Sequence, residues 1–240
     1  MKLRTTIGRF VLDRRLIGLL ALAALAMAAR GWLHDHPEHN PWAPLEIAHP
    51  PGWATATKIS ALRSDLSACR AVLERSEIAF IALPPAGEGQ CARMDRTALS
   101  GLPLAPSAPQ MTCPVAAGLA VWLRHSVNPA AEQILGSPVR RIEHLGTWNC
   151  RRIGGGEQGI WSEHATGNAI DIAAFVLQDG SRISVLAGWN GTPQEQAFLR
   201  KARDGACGSF ATVLSPEYNA AHADHFHFDQ AHRLIGGQCR

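Results

Sequence analysis

The stretch SEHATGNAIDIAAFVL, residues 162–177, decides the fold. Its second half, Ala169 to Leu177, is apolar apart from Asp171 and reads as a strand. Asp179-Gly180 behind it is a hairpin turn signal, which makes Ile183 to Leu186 the return strand. Its first half sets His164 seven residues before Asp171, with Gly167 between them. A helix would also bring i and i+7 to one face. The glycine and the apolar run argue instead for a loop that turns into a strand. Such a turn can bring a loop histidine and a strand carboxylate to one point, since site groups often sit on loops held by a rigid scaffold.

Working outward, His225-Phe226-His227-Phe228-Asp229 alternates and reads as another strand. Residues two apart in a strand share a face, so His225 and His227 point together and Asp229 can join them. Asp224 falls on the other face unless the chain bends there. Val139 to Leu145 alternates weakly, and Ile78 to Leu83 is an apolar run closed by Pro84-Pro85; both are expected strands. Residues 86–110, rich in Gly, Pro and Ser, are expected to be loop. Helical spacing runs from Ile59 through Leu62, Leu66, Cys69, Val72 and Leu73. Further helices are expected from Pro114 through Leu123, from Pro129 to Leu135 with a stop at Gly136, and from Pro193 through Leu199. The sum is an α+β domain over residues 58–240, with a central antiparallel sheet and flanking helices.

Composition bounds the class. The 240 residues are 46% apolar with a net charge of +3, enough for a real core and too weakly basic for a nucleic-acid binder. The six cysteines form no CxxC pair, so zinc ribbons and redox motifs have no support. An even number of scattered cysteines behind an export signal predicts three disulfides, and the spacing suggests Cys69–Cys91, Cys113–Cys150 and Cys207–Cys239. The signal is Lys2, Arg4, Arg9, Arg14 and Arg15 followed by an apolar run from Leu16 to Ala29. Ala26-Met27-Ala28 resembles a cleavage site, while extension through Gly31-Trp32-Leu33 makes a marginal span; a cleaved peptide and a retained membrane anchor both fit residues 1–33. Either way the body is exported, to a periplasmic or other extracytoplasmic site, with the positive end left in the cytoplasm. Residues 34–57, with five prolines and four histidines, read as a semi-extended, solvated linker.

The chemistry concentrates in two segments, Ser162–Asp171 and His222–His227. A catalytic zinc takes three protein ligands and keeps an open position, and His164, Asp171 and His227 supply such a set. The Gly-rich stretch 153–160 lacks the GK[ST] of a phosphate loop, and no GxSxG supports serine hydrolysis.

These residues resemble a known family. His164-x-x-Gly167-x-Ala169-x-Asp171 is similar to the HxxGxAxD signature of zinc D-alanyl-D-alanine peptidases, whose fold is shared with Hedgehog signalling domains. His222-x-Asp224-x-x-His227 is similar to the HxDxxH segment of some of them. The resemblance to bacterial extensin-like C-terminal domain proteins is closer. It covers most of residues 41–239, through CPVAAGLAVWL, GTWNCR, SEHATGNAIDIAAF, DGACGSFATVLSPEYN and HADHFHFD. The resemblance implies a Hedgehog/DD-peptidase-like fold and a Zn2+ held by His164, Asp171 and His227. It implies Asp224 as proton carrier, His222 as a hydrogen-bonding partner nearby, and Arg151, with Arg152 behind it, as the substrate-contacting arginine. The usual YRS-type loop of the peptidases is absent; Cys150 beside Arg151 suggests a disulfide-fixed loop in its place. His225 is an extra group expected to support the ligands. The expected function is hydrolysis of peptide bonds in peptidoglycan stem peptides or cross-links. The alternative is a zinc-containing module that binds cell wall or a partner protein without turnover.

Overall fold

The computed structural model describes residues 11–106, 108–233 and 237–240; the cationic residues Lys2, Arg4 and Arg9 of the export signal lie outside them. In chain order the elements begin with α1 (Val11–Asp35), α2 (Thr55–Ala61), α3 (Leu66–Arg75), β1 (Phe80–Leu83), β2 (Arg96–Leu99), β3 (Leu104–Ala105) and β4 (Gln110–Met111). They continue with α4 (Cys113–Trp122), α5 (Asn128–Ala130), β5 (Val139–Gly146), β6 (Ala169–Leu177), β7 (Arg182–Ser184), α6 (Val185–Gly188) and α7 (Pro193–Ala206). They end with β8 (Thr212–Leu214), β9 (Phe226–Asp229) and β10 (Gln238–Cys239). The architecture is α+β.

β6 organises the larger sheet, whose order is β10-β8-β9-β6-β5-β3. One edge of β6 pairs with β5 along its length; the other pairs first with β9 and then, beyond Ile172, with β7. The central pairings are antiparallel, as expected, while β3–β5 and β8–β10 are parallel. The period of two then sorts side chains. Ile170, Ile172, Phe226 and Phe228 are all fully buried on the face toward the helices. Asp171 sits opposite His227, and Ala169 opposite Asp229, so the polar members share the other face.

The apolar face is covered by α4, every residue of which is buried. Thr112 precedes it and Pro114 occupies its first turn, where a missing N–H costs nothing. Trp122 packs edge-on against Phe228 with centroids 5.0 Å apart, and its indole N–H donates to Ala202 O at 2.8 Å, which satisfies the one polar atom it buries. A Cβ added to Gly118 would stand 2.9 Å from Ser209 O, so glycine permits this close approach of helix and chain. The helical path runs on through two π-turns, Leu123–Val127 and Ala131–Leu135, and ends at Gly136 in the left-handed region.

Four expectations are corrected. The return strand expected over Ile183 to Leu186 stops at Ser184, whose side chain caps α6, so Val185 and Leu186 are helical. Residues 86–110 are not simply loop: β2 and β4 join β1 in a three-stranded antiparallel sheet, and β3 edges the larger one. These strands are two to four residues long and carry no usable alternation; pairing creates them. All six cysteines are bridged, but as Cys69–Cys113, Cys91–Cys150 and Cys207–Cys239. Only the last pair follows the expected connectivity. α3 lies against α4, which places Cys69 beside Cys113 with Cα atoms 6.0 Å apart, and that frees Cys91 for Cys150. The proline-rich stretch read as a linker is packed down on the domain. Leu45 and Ile47 are buried, His125 Nε2 donates to Ile47 O at 2.7 Å, and Arg75 binds Glu46 and Leu45 O.

Candidate metal centre

The centre is built where the turn before β6 meets the β6–β9 pair. Ser162 caps a short 3₁₀ turn, Glu163–Thr166, by accepting from His164 N. Gly167 closes the turn at φ +75°, and its N–H donates to His164 O at 3.1 Å. A side chain at Gly167 would strain this left-handed position, which sends the chain from the turn into the strand. His164 is buried at 4% exposure, and its Nδ1–H donates to Thr147 O at 3.3 Å. Asp171 and His227 are cross-strand partners. His227 Nε2–H donates to Asp229 Oδ2 at 3.0 Å, and Asp229 Oδ1 in turn accepts from Ala231 N.

With the outer nitrogens engaged, three atoms face one another: His164 Nε2, Asp171 Oδ1 and His227 Nδ1. The distances are 3.1 Å from His164 to Asp171, 3.1 Å from His164 to His227 and 3.0 Å from His227 to Asp171. In neutral histidines whose other nitrogen donates outward, all three atoms are acceptors. One shared proton serves a single edge of this triangle; one cation above it serves all three. Tetrahedral ligands with bonds of about 2.0–2.1 Å lie about 3.3 Å apart, close to the spacing here. Both histidines are also fixed in the tautomer a metal needs by an acceptor behind the ring. The donor set therefore fits Zn2+.

Electrostatics agree with the packing. Burial alone would raise the Asp171 carboxyl, but in the metal-free protein the facing His164 and His227 imidazoles, once protonated, hold it well below the usual carboxylate range. Burial would lower His227, yet Asp171 and Asp229 lift it to about 9. His222 is held down to about 4, by burial first and then by the neighbouring His225 and His227. Burial raises Glu163, whose carboxylate accepts from Asn168 Nδ2 at 2.6 Å.

The other expected residues form a rim. His222 ends a 3₁₀ turn, Ala220–His222; its Nδ1 lies 2.7 Å from Asn219 Oδ1 and its ring centroid 5.9 Å from that of His227. Asp224 is exposed and accepts from His225 Nδ1 at 2.7 Å. His225 Nε2 lies 3.7 Å from Asp171 Oδ1, so His225 links Asp224 to the ligands. The exposed Arg151 is close enough for its charge to help depress His222. Arg152 stacks instead on Trp161, 4.3 Å above the ring. Cys91–Cys150 pins the loop that carries Arg151. The structure thus brings His164, Asp171 and His227 into contact and sets His222, Asp224 and Arg151 around them. Sequence reasoning missed Thr147, which acts through a carbonyl that every residue has, and Glu163, whose burial only the fold creates.

A family model described as "Extensin-like protein C-terminus" matches residues 67–240, well over half of the chain. The chain belongs to the extensin-like C-terminal family. No curated protein and no solved structure matches it. In this extensin-like chain the matched region holds every residue of the candidate centre, while the packed stretch 37–57 lies before it. Its three disulfides and N-terminal apolar helix are compatible with an extracytoplasmic location.

Proposed function

We propose that this extensin-like protein is an extracytoplasmic zinc-dependent hydrolase acting on peptide bonds of peptidoglycan stem peptides or cross-links. The observation that carries the reading is the inward-facing triangle of His164, Asp171 and His227, with a carboxylate and a histidine on its open rim. The proposal extends to the fold, a Hedgehog/DD-peptidase-like one. When bound, Zn2+ would act as a Lewis acid and bring the pKa of a water to about 7. The chain supplies the rest. Thr147 O and Asp229 keep the two imidazoles oriented. Asp224 takes a proton from the attacking water and passes it to the leaving amine. His222, neutral near pH 7 because its pKa is about 4, offers hydrogen bonding without adding charge. Arg151 meets a substrate carbonyl or carboxylate.

One observation favours the second reading, a zinc-containing module that binds wall or a partner protein: the Asp224 carboxylate is engaged by His225 rather than by any ligand. Mass spectrometry of purified wall fragments incubated with the zinc-loaded protein separates the two. Shortened stem peptides or opened cross-links are expected. Zinc-dependent binding of wall with no mass change would replace the hydrolase reading by the module. We also propose that α1 is kept as a membrane anchor; it carries a 23-residue stretch, Asp13–Asp35, long and apolar enough to cross a bilayer, with none of it buried.

A further inference from the structure

The end of α1 is not followed by a free tether. Trp32, in its last turns, stacks on His36 with ring centroids 4.5 Å apart and on His39 at 5.2 Å, and meets Trp53 at 6.3 Å. His36 Nδ1–H donates to Trp32 O at 2.9 Å, and the backbone N–H of Trp53 donates to His39 Nδ1 at 3.3 Å. The next turns are tied to the domain. Lys58, buried at 6% exposure, donates through Nζ to Pro37 O at 2.6 Å, and Leu45 and Ile47 enter the core. A continuous packed path therefore runs from the apolar helix into the body.

Along this path three indoles face solvent: Trp42 is 83% exposed, Trp53 72% and Trp32 45%. Leaving this much aromatic surface in water is unfavourable; Trp32 and Trp53 lie side by side, Trp42 stands on the turn tied back to Asn40 that joins them, and exposed apolar side chains so placed mark an interaction surface. Tryptophan carries an apolar ring and one N–H donor, the combination enriched where hydrocarbon meets headgroups. Their position fixes the occupant, because the helix they adjoin is, among the described residues, the one long and apolar enough to enter a bilayer.

We propose that Trp32, Trp42 and Trp53 seat the domain in the headgroup region of the phospholipid bilayer at the outer end of α1. The metal centre is then held at a fixed height above the membrane rather than swinging on a linker, and it acts on material that lies close to the outer leaflet. This inference rests on α1 being a retained anchor.

The test uses the full chain in phosphatidylcholine vesicles brominated either high or deep on the acyl chains. Bromine quenches nearby indole fluorescence. Strong quenching by the shallow label is expected for the wild type. Trp42→Phe/Trp53→Phe should lose most of it and keep the share of Trp32. Both positions are exposed, so the double variant folds; an unchanged circular dichroism spectrum and thermal midpoint check this. Intact chain in vesicles with equal quenching in wild type and variant overturns the seat and leaves the anchor standing. Concentration-dependent crosslinking through residues 42 and 53 without quenching assigns the patch to a second copy and also overturns it. Recovery from cells of a soluble chain beginning near Ala29 overturns the anchor itself.

Discussion

Two regions of the centre carry the same residue types and are held in opposite ways. The ligand triangle lies on paired strands and a capped turn; each histidine has an acceptor behind it, and His164 and His227 are at most 9% exposed. Apart from Arg151, the rim lies on the loop 215–225; Asp224 is exposed and His222 leans on Asn219, three residues away. Rigid burial suits atoms proposed to converge on one cation, because misplacement would cost every bond at once. Exposure on a short loop suits the proton exchange with solvent and substrate proposed for Asp224.

The largest expected effect sharpens this contrast. His227→Ala should abolish zinc binding, and with it all hydrolysis. Asp224→Ala should keep zinc and fold while losing about 10²–10⁴-fold in rate. Elemental analysis beside the wall-fragment assay reads both; equal loss of zinc in the two variants would make Asp224 a ligand and erase the distinction. A smaller effect tests the support behind the triangle. Asp229→Ala removes the acceptor of His227 Nε2 and should weaken zinc binding by about 10–100-fold, measured by competition with a chelating dye. Unchanged affinity would mean that the β6–β9 pairing alone orients the ring.

The smallest effect concerns protons in the metal-free protein. His227 titrates near 9 when folded, against about 6.5 for an unperturbed imidazole, so folding takes up a proton between these values. The stabilisation is complete below about pH 6.5 and is lost as pH rises through about 9. Denaturant midpoints of chelator-treated protein should therefore fall between pH 6.5 and 9. The fall should be shallower in Asp229→Asn, which removes one of the two carboxylates that lift His227. A midpoint that rises over that range would reverse the assignment.

Much of this is legible in the sequence. The strand over Ala169–Leu177 matches its expected bounds, and β9 alternates as read, with Phe226 and Phe228 inward and His227 and Asp229 together on the far face. Long apolar runs and strict alternation report burial directly, which is why these elements could be read. The short strands within 96–111, β8 and β10 were not legible, because no apolar run or turn signal sets them off from the surrounding loop and they form only when a partner supplies the other half of each hydrogen bond. Disulfide pairing failed for the same reason: nearness along the chain said Cys69–Cys91, and helix packing set Cys69 beside Cys113.

The sequence by itself determined the donor types, the glycine that turns the chain between His164 and Asp171, and the alternation that separates core from site. These are local properties, carried by residue chemistry and by periods of a few residues. Only the tertiary structure decided that His227 lies across from Asp171, that Thr147 and Asp229 hold the outer nitrogens, and that residues 37–57 bind the helix end to the domain. Each of those joins parts of the chain through pairing register or through a backbone carbonyl. A carbonyl leaves no mark in the residue type, and register is settled by the packing of the whole sheet.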